Sequence, residues 1–189
     1  MGSGPAAGRV AAFLDRDGVL NESVVRDGKP RPPTSVDEVV IRPGVRAACN
    51  SLRDAGVAML VVTNQPDIAR GTRDRGAVDA INEELRQRLR LDDVLVCPHD
   101  DGDGCGCRKP RPGLLMDAGA RWHIGLGCSV MVGDRWRDIE AGRAAGCRTV
   151  LVARDYRERP AVGADLVVHS LEDAVPWIVG LGSSREGQG

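Results

Sequence analysis

Short apolar runs alternate along this chain with longer stretches of helical pattern, the signature of a parallel β-sheet wrapped by helices. Val10–Leu14 reads as a first strand, Val57–Val62 as a second and Val94–Val96 as a short third. Ser129–Val132 and Thr149–Val152 read as a fourth and fifth, and Leu166–Val168 as a last edge strand. The near-continuous apolar character of Val57–Val62 suits a strand covered on both faces. Between the strands, Pro43 opens a helix that runs to Ala55 and stops at Gly56. A second helix is capped by Thr72 or Asp74 and runs to about Leu91. Three more are expected over Pro112–Trp122, over Trp136–Ala145 closed by Gly146, and over Leu171–Val179. The fold class is therefore α/β, a parallel sheet with helices on both faces, in one domain over residues 9–181. Residues 1–8 and 182–189 are small and polar and read as flexible termini.

Two segments fit neither pattern. Glu22–Arg42 carries Pro30, Pro32 and Pro33 and is expected to be an irregular flap. Asp100–Pro112 is rich in Gly, Asp and Pro, so something other than an apolar core has to order it.

Composition narrows the partners. The chain has 26 basic and 27 acidic residues and no long basic run, which argues against nucleic acid or an anionic membrane surface. Its apolar stretches fall far short of the roughly 20 residues a bilayer span needs. The start lacks the apolar core of a signal peptide, so a cytoplasmic monomer acting on a small molecule is expected. With five aromatic residues, the core has to be built from Val, Leu, Ile and Ala.

The chemistry gathers at strand ends. Leu14-Asp15-Arg16-Asp17-Gly18 puts two carboxylates directly after a strand, where α/β sheets bind ligands. Gly133-Asp134-Arg135-Trp136-Arg137-Asp138 does the same after the fourth strand, with Asp134 and Asp138 four residues apart. Helix capping explains one such carboxylate. Several converging ones need a cation to offset their repulsion. Magnesium, a hard ion that takes carboxylates, water and substrate phosphate, is the natural candidate. The second strand ends in Thr63-Asn64-Gln65, which offers a hydroxyl and backbone N–H groups to phosphate oxygens, and Lys109 adds a compact positive charge.

In this order the motifs Asp-Arg-Asp-Gly, Thr-Asn-Gln, Arg-Lys-Pro-Arg-Pro-Gly and Gly-Asp-Arg-Trp-Arg-Asp resemble those of the haloacid dehalogenase superfamily, over roughly Val10 to Val152. The resemblance implies a Rossmann-like fold and a phosphatase in which Asp15 is the nucleophile. Asp17 would be the general acid/base, the residue that dehalogenases of the superfamily lack. Magnesium would be held by the Asp15 carboxylate, the Asp17 backbone carbonyl and Asp134. Thr63 and Lys109 would stabilise the phosphoryl group, with Asp138 positioning Lys109 or metal-bound water. The intervals Gly18–Arg42 and Pro66–Val96 leave no room for a large cap domain, so an open site is expected.

Cys97, His99, Cys105 and Cys107 fall within eleven residues in the spacing C-x-H-x5-C-x-C. Three thiols and an imidazole complete a tetrahedral shell for structural zinc, and the loop runs straight into Arg108 and Lys109. Such a loop narrows the resemblance to the heptose bisphosphate phosphatases and the histidinol-phosphate phosphatases. Ile68-Ala69-Arg70-Gly71 after the Gln resembles the heptose group more closely, although Pro66-Asp67 departs from its pattern. A bisphosphate needs a second anion site, for which Arg70, Arg108 and Arg111 are suited, with Asn64 as a further substrate contact. Removal of the 7-phosphate from a heptose 1,7-bisphosphate is the expected reaction, with histidinol phosphate as the alternative substrate. Another phosphosugar, a nucleic-acid end, or a binding module without catalysis are weaker alternatives.

Overall fold

Six parallel strands stand in the order β5 (Asp93–Cys97), β4 (Ala58–Asn64), β1 (Ala11–Leu14), β6 (Val130–Gly133), β7 (Arg148–Val152) and β8 (Leu166–Val168). This is a computed structural model that describes residues 8–26 and 29–183. The chain begins in the middle of the sheet, builds outward to β5, then crosses over to lay down β6, β7 and β8 on the other side of β1. The winding direction changes between β1 and β6, and open α/β sheets bind ligands at the carboxyl ends of the strands at such a point.

Side chains alternate across the sheet and divide the core into two. Ala12 and Leu14 of β1, with Met59 and Val61 of β4, pack under α1 (Val45–Asp54), α2 (Arg75–Leu89) and α5 (Leu171–Ser183). Ala11 and Phe13, with Leu60 and Val62, pack under α3 (Gly113–Trp122) and α4 (Trp136–Ala144). The residues of β1 are all fully buried, so the sheet floor beneath the first carboxylates is rigid. No helix among the described residues is long and apolar enough to cross a membrane.

Local signals set the element ends. Asp74, not Thr72, caps α2: its side chain accepts a hydrogen bond from Ala77 N at 3.1 Å. That helix stops at Leu89, where Arg90 takes a left-handed φ of 55°. Two expectations need correction. The segment expected as an irregular flap holds an antiparallel ribbon, β2 (Val24–Arg26) paired with β3 (Lys29–Arg31), and a 3-10 turn over Val36–Glu38. Pro30 stands in β3 because a two-stranded ribbon has an open edge, where a missing N–H breaks no ladder. The last helix continues through Gly182 to Ser183 rather than ending at Val179. The other residues expected as flexible termini, 1–7 and 184–189, lie outside the described set, and Gly8 is described. Among the described residues, no cap domain is inserted after β1 or β4.

Candidate active site

Asp15 follows β1, and its N–H donates to the Val132 carbonyl at 2.9 Å, which ties the start of the motif to the neighbouring strand β6. Asp134 follows β6, and Asp138 lies in the first turn of α4. One oxygen from each of Asp15, Asp134 and Asp138 comes within 4.8 Å of the others. Lys109 Nζ joins this group, 2.8 Å from Asp15 Oδ1 and 2.6 Å from Asp138 Oδ1, and donates to the Val62 carbonyl at 2.8 Å.

Crowding sets the protonation of the group. Burial pushes the Asp134 carboxyl up to about 8, with the charges of Asp15 and Asp138 adding to it. Burial likewise lifts Asp15 to about 6, opposed by the Lys109 ammonium. Burial disfavours the Lys109 charge, but Asp138 and Asp15 outweigh it and raise that amine. Asp134 Oδ1 is buried with no hydrogen-bond partner. A carboxylate cluster with an orphaned oxygen and raised affinities for protons fits a divalent cation bound by oxygen. Two glycines let these carboxylates pack so closely. A Cβ on Gly133 would fall 2.1 Å from Asp138 Cβ, and one on Gly18, whose φ is +88°, would fall 1.9 Å from Asp134 Oδ2.

Asp17 faces the same cleft but stands apart from the three clustered carboxylates. Fully buried Arg16 donates to it through Nη2 at 2.9 Å, Asn21 Nδ2 does so at 2.9 Å and Gln65 Nε2 at 3.1 Å. Burial would raise this carboxyl, yet the Arg16 charge and these hydrogen bonds together hold it below its ordinary value. Arg16 is itself oriented by Asn82 Oδ1 on α2, at 2.8 Å. Thr63 and Asn64 end β4. The Thr63 hydroxyl accepts from Gln65 Nε2 at 3.0 Å. Asn64, expected as a substrate contact, lines the cleft, and its amide also engages the Lys109 backbone: Nδ2 donates to the carbonyl at 3.0 Å, and Oδ1 accepts from the N–H at 3.1 Å. It positions the lysine that reaches Asp15.

These groups open into a cleft of about 350 Å³ with a basic wall of Arg31, Arg70, Arg108, Arg135 and Arg137. Asp100 takes Arg70 in a two-point pair, with both distances 2.7 Å. Asp101 accepts from Arg108 Nε at 2.8 Å and from Arg137 Nη1 at 2.9 Å. Of the three arginines expected to bind substrate, Arg70 and Arg108 line this cleft and Arg111 does not. Arg111 instead donates to the Cys105 carbonyl and lines a neighbouring depression. Arg31, Arg135, Arg137 and Glu158 were missed. Arg135 and Arg137 flank Trp136 inside a motif already singled out, which was a usable signal, whereas Arg31 and Glu158 reach the cleft only through tertiary folding.

Cys97 ends β5, and its loop brings four side chains together. Cys97 Sγ lies 3.7 Å from Cys105 Sγ, 3.3 Å from Cys107 Sγ and 3.6 Å from His99 Nδ1. His99 Nδ1 to Cys107 Sγ is 3.3 Å, and Cys105 to Cys107 is 3.5 Å. Zinc bonded to sulfur at about 2.3 Å and to nitrogen at about 2.0 Å would set tetrahedral edges of about 3.8 and 3.5 Å. The four expected ligands therefore fit that ion. Burial raises the Cys97 thiol to about 12, a cost that a bound cation would offset.

Paired aspartates after a central strand, a hydroxyl at the end of the next strand, a buried lysine and acidic residues opening a helix suit phosphoryl transfer. The sequence matches the HAD-hydrolase-like family over residues 106–174. It is 35% identical over 186 residues to the D-glycero-β-D-manno-heptose-1,7-bisphosphate 7-phosphatase of Haemophilus ducreyi, covering 90% of this chain and 99% of that one. It is 37% identical over 145 residues to the Bordetella bronchiseptica enzyme of the same name, covering 74% and 78%. Among solved structures, the D,D-heptose 1,7-bisphosphate phosphatase of B. bronchiseptica complexed with magnesium and phosphate has a TM-score of 0.75 to this fold. It is 30% identical, over 91% of this chain and 98% of that one. The chain belongs to the haloacid dehalogenase-like hydrolases, and it is a phosphatase.

Proposed function

We propose that this phosphatase removes the 7-phosphate of D-glycero-β-D-manno-heptose 1,7-bisphosphate, the substrate in the names of its relatives. The observation that carries the reading is one cleft holding both Asp15 with Lys109 and a wall of arginines. The first pair suits a reacting phosphate, and the arginines suit the second phosphate of a bisphosphate.

In this reading Asp15 attacks phosphorus, and the bond from phosphorus to the sugar oxygen breaks. Asp17 gives that oxygen a proton, then takes one from the water that hydrolyses the aspartyl-phosphate, and inorganic phosphate leaves. Arg16, Asn21 and Gln65 keep Asp17 ionised before substrate arrives. A phosphate drawn in beside it opposes that by repulsion, so Asp17 gains its proton with substrate binding. Thr63 and Lys109 hold the transferring oxygens, and Asp138 and Asn64 hold Lys109. Magnesium held by Asp15, Asp134 and the Asp17 carbonyl, with Asp138 in support, would offset the charge of the carboxylates and the phosphate. Zinc on Cys97, His99, Cys105 and Cys107 would order the loop that carries Arg108 and Lys109.

Phosphate release in magnesium buffer should be compared for the β and α anomers of heptose 1,7-bisphosphate and for histidinol phosphate. A kcat/KM for the β anomer a hundredfold above the others, about 2.7 kcal/mol in the transition state, is the expected result. Histidinol phosphate turned over as well as the heptose or better would overturn the substrate assignment.

A further inference from the structure

Tyr156 is the sole tyrosine of the chain, and it lies in the loop between β7 and β8, which none of the roles above employs. Its hydroxyl donates to Asp134 Oδ2 at 2.7 Å. The other oxygen of that carboxylate, Oδ1, is buried and unpartnered. The two oxygens are thus in unlike states, one fixed by a phenol and one left for an electropositive partner.

The loop is fastened where this contact needs it. Arg154 donates to the Gly18 carbonyl through Nε at 3.2 Å and Nη2 at 2.8 Å, joining the loop to the turn that follows Asp17. The Arg135 guanidinium stands 5.1 Å from the centre of the Tyr156 ring and 3.6 Å from Glu158 of the same loop. Gly18 completes the packing, since a Cβ there would meet Asp134 Oδ2 at 1.9 Å and the Tyr156 hydroxyl at 3.0 Å. A phenol placed so tightly against one oxygen leaves the carboxylate little freedom to rotate.

We propose that Tyr156 is a positioning residue that fixes the Asp134 carboxylate for a divalent cation, so that the β7–β8 loop sets the affinity of the site. The proposal rests on the reading of Asp15, Asp134 and Asp138 as a cation site. Hydrogen-bond partners behind metal ligands orient them and commonly change affinity by about 10–100-fold when removed.

The test is calorimetric titration of the purified full chain with Mg2+, comparing wild type, Tyr156→Phe and Asp134→Asn. Tyr156→Phe removes one oxygen and keeps the ring under Arg135. It should weaken Mg2+ binding about tenfold, and phosphatase activity lost at low Mg2+ should return when Mg2+ is raised. Unchanged Mg2+ affinity in Tyr156→Phe, with Asp134→Asn losing binding, would overturn the role of Tyr156 alone. Asp134→Asn binding Mg2+ as tightly as wild type would overturn the cation site itself, and the proposal with it. Activity that stays low in Tyr156→Phe at every Mg2+ concentration would mark a structural defect and also overturn the proposal.

Discussion

Asp138 Oδ1 lies 2.6 Å from Lys109 Nζ, and each side chain is 2% exposed. One partner comes from the first turn of α4 and the other from the end of the Cys/His loop, so two distant segments meet on one buried ion pair. Removing one partner of such a pair leaves the other charge uncompensated, which costs about 3–5 kcal/mol. Lys109→Met should lose stability of that order in urea unfolding without metal, and turnover should fall by at least about a hundredfold, as when a charge-stabilising donor is lost. Wild-type stability and rate in this variant would contradict the geometry.

The raised carboxyls predict how the metal-free protein responds to pH. Asp134 at about 8 and Asp15 at about 6 both lie above their ordinary 3.8. From about pH 4 to 8 the unfolded chain releases protons that the folded one keeps, so stability falls as pH rises and levels off above. Asp17, held low by Arg16 against its burial, contributes stability that is lost only below about pH 4. Melting curves at pH 5, 6, 7 and 8 should show a falling Tm without metal, and a larger stabilisation by Mg2+ at pH 8 than at pH 5. A Tm that rises with pH over this range would contradict the arrangement.

The Cys/His loop predicts that zinc and catalysis are coupled. If the loop holds zinc as proposed, Cys107→Ser should abolish zinc binding and, with it, the placement of Arg108 and Lys109 next in the chain. A fall in kcat/KM of at least about tenfold is expected, since even small misplacement of a reacting group is costly. Zinc content by mass spectrometry, measured beside activity, checks this. Full activity in a zinc-free variant would show that the loop holds its shape without the ion.

Asp101 holds two arginines of the cleft, yet its side chain is 57% exposed, so each pair is modest. Exposed ion pairs contribute about 1 kcal/mol at most, roughly a fivefold effect. Asp101→Ala should therefore raise KM for a bisphosphate by about threefold to fivefold and change kcat less. The same variant assayed on a heptose 7-monophosphate should show a smaller change in KM. Equal changes for both substrates would remove Arg108 and Arg137 from recognition of the second phosphate.

The sequence made most of this site legible because its chemistry is written in local motifs. Asp15, Asp17, Thr63, Asp134 and Asp138 each sit at a strand end or helix start, where a short apolar run followed by a polar residue marks the position. Cys97, His99, Cys105 and Cys107 were legible from spacing alone. The β2–β3 ribbon was not, because three prolines read as irregular chain and the open edge that tolerates Pro30 exists only in the folded pairing. Tyr156 meets Asp134 across 22 positions and Arg154 meets Gly18 across 136, separations at which local pattern carries no information. Its place after a strand's carboxyl end was a hint, since ligands gather there. Asn64 shows a different limit: it lines the cleft, and its two hydrogen bonds to the Lys109 backbone span 45 positions, a contact that local pattern does not show.

The central claim is that Asp15 carries the phosphoryl group. Asp17→Asn lacks the base that activates the hydrolytic water, so with 4-nitrophenyl phosphate, whose leaving group departs without a proton from Asp17, it should let the acyl phosphate accumulate. That variant, mixed with this ester and Mg2+, quenched in acid and treated with borohydride, should yield a peptide in which residue 15 is reduced to homoserine. Asp15→Asn carried through the same steps should give no reduced residue and no turnover while keeping its circular dichroism spectrum. Reduction at another carboxylate, or turnover surviving in Asp15→Asn, would contradict the account.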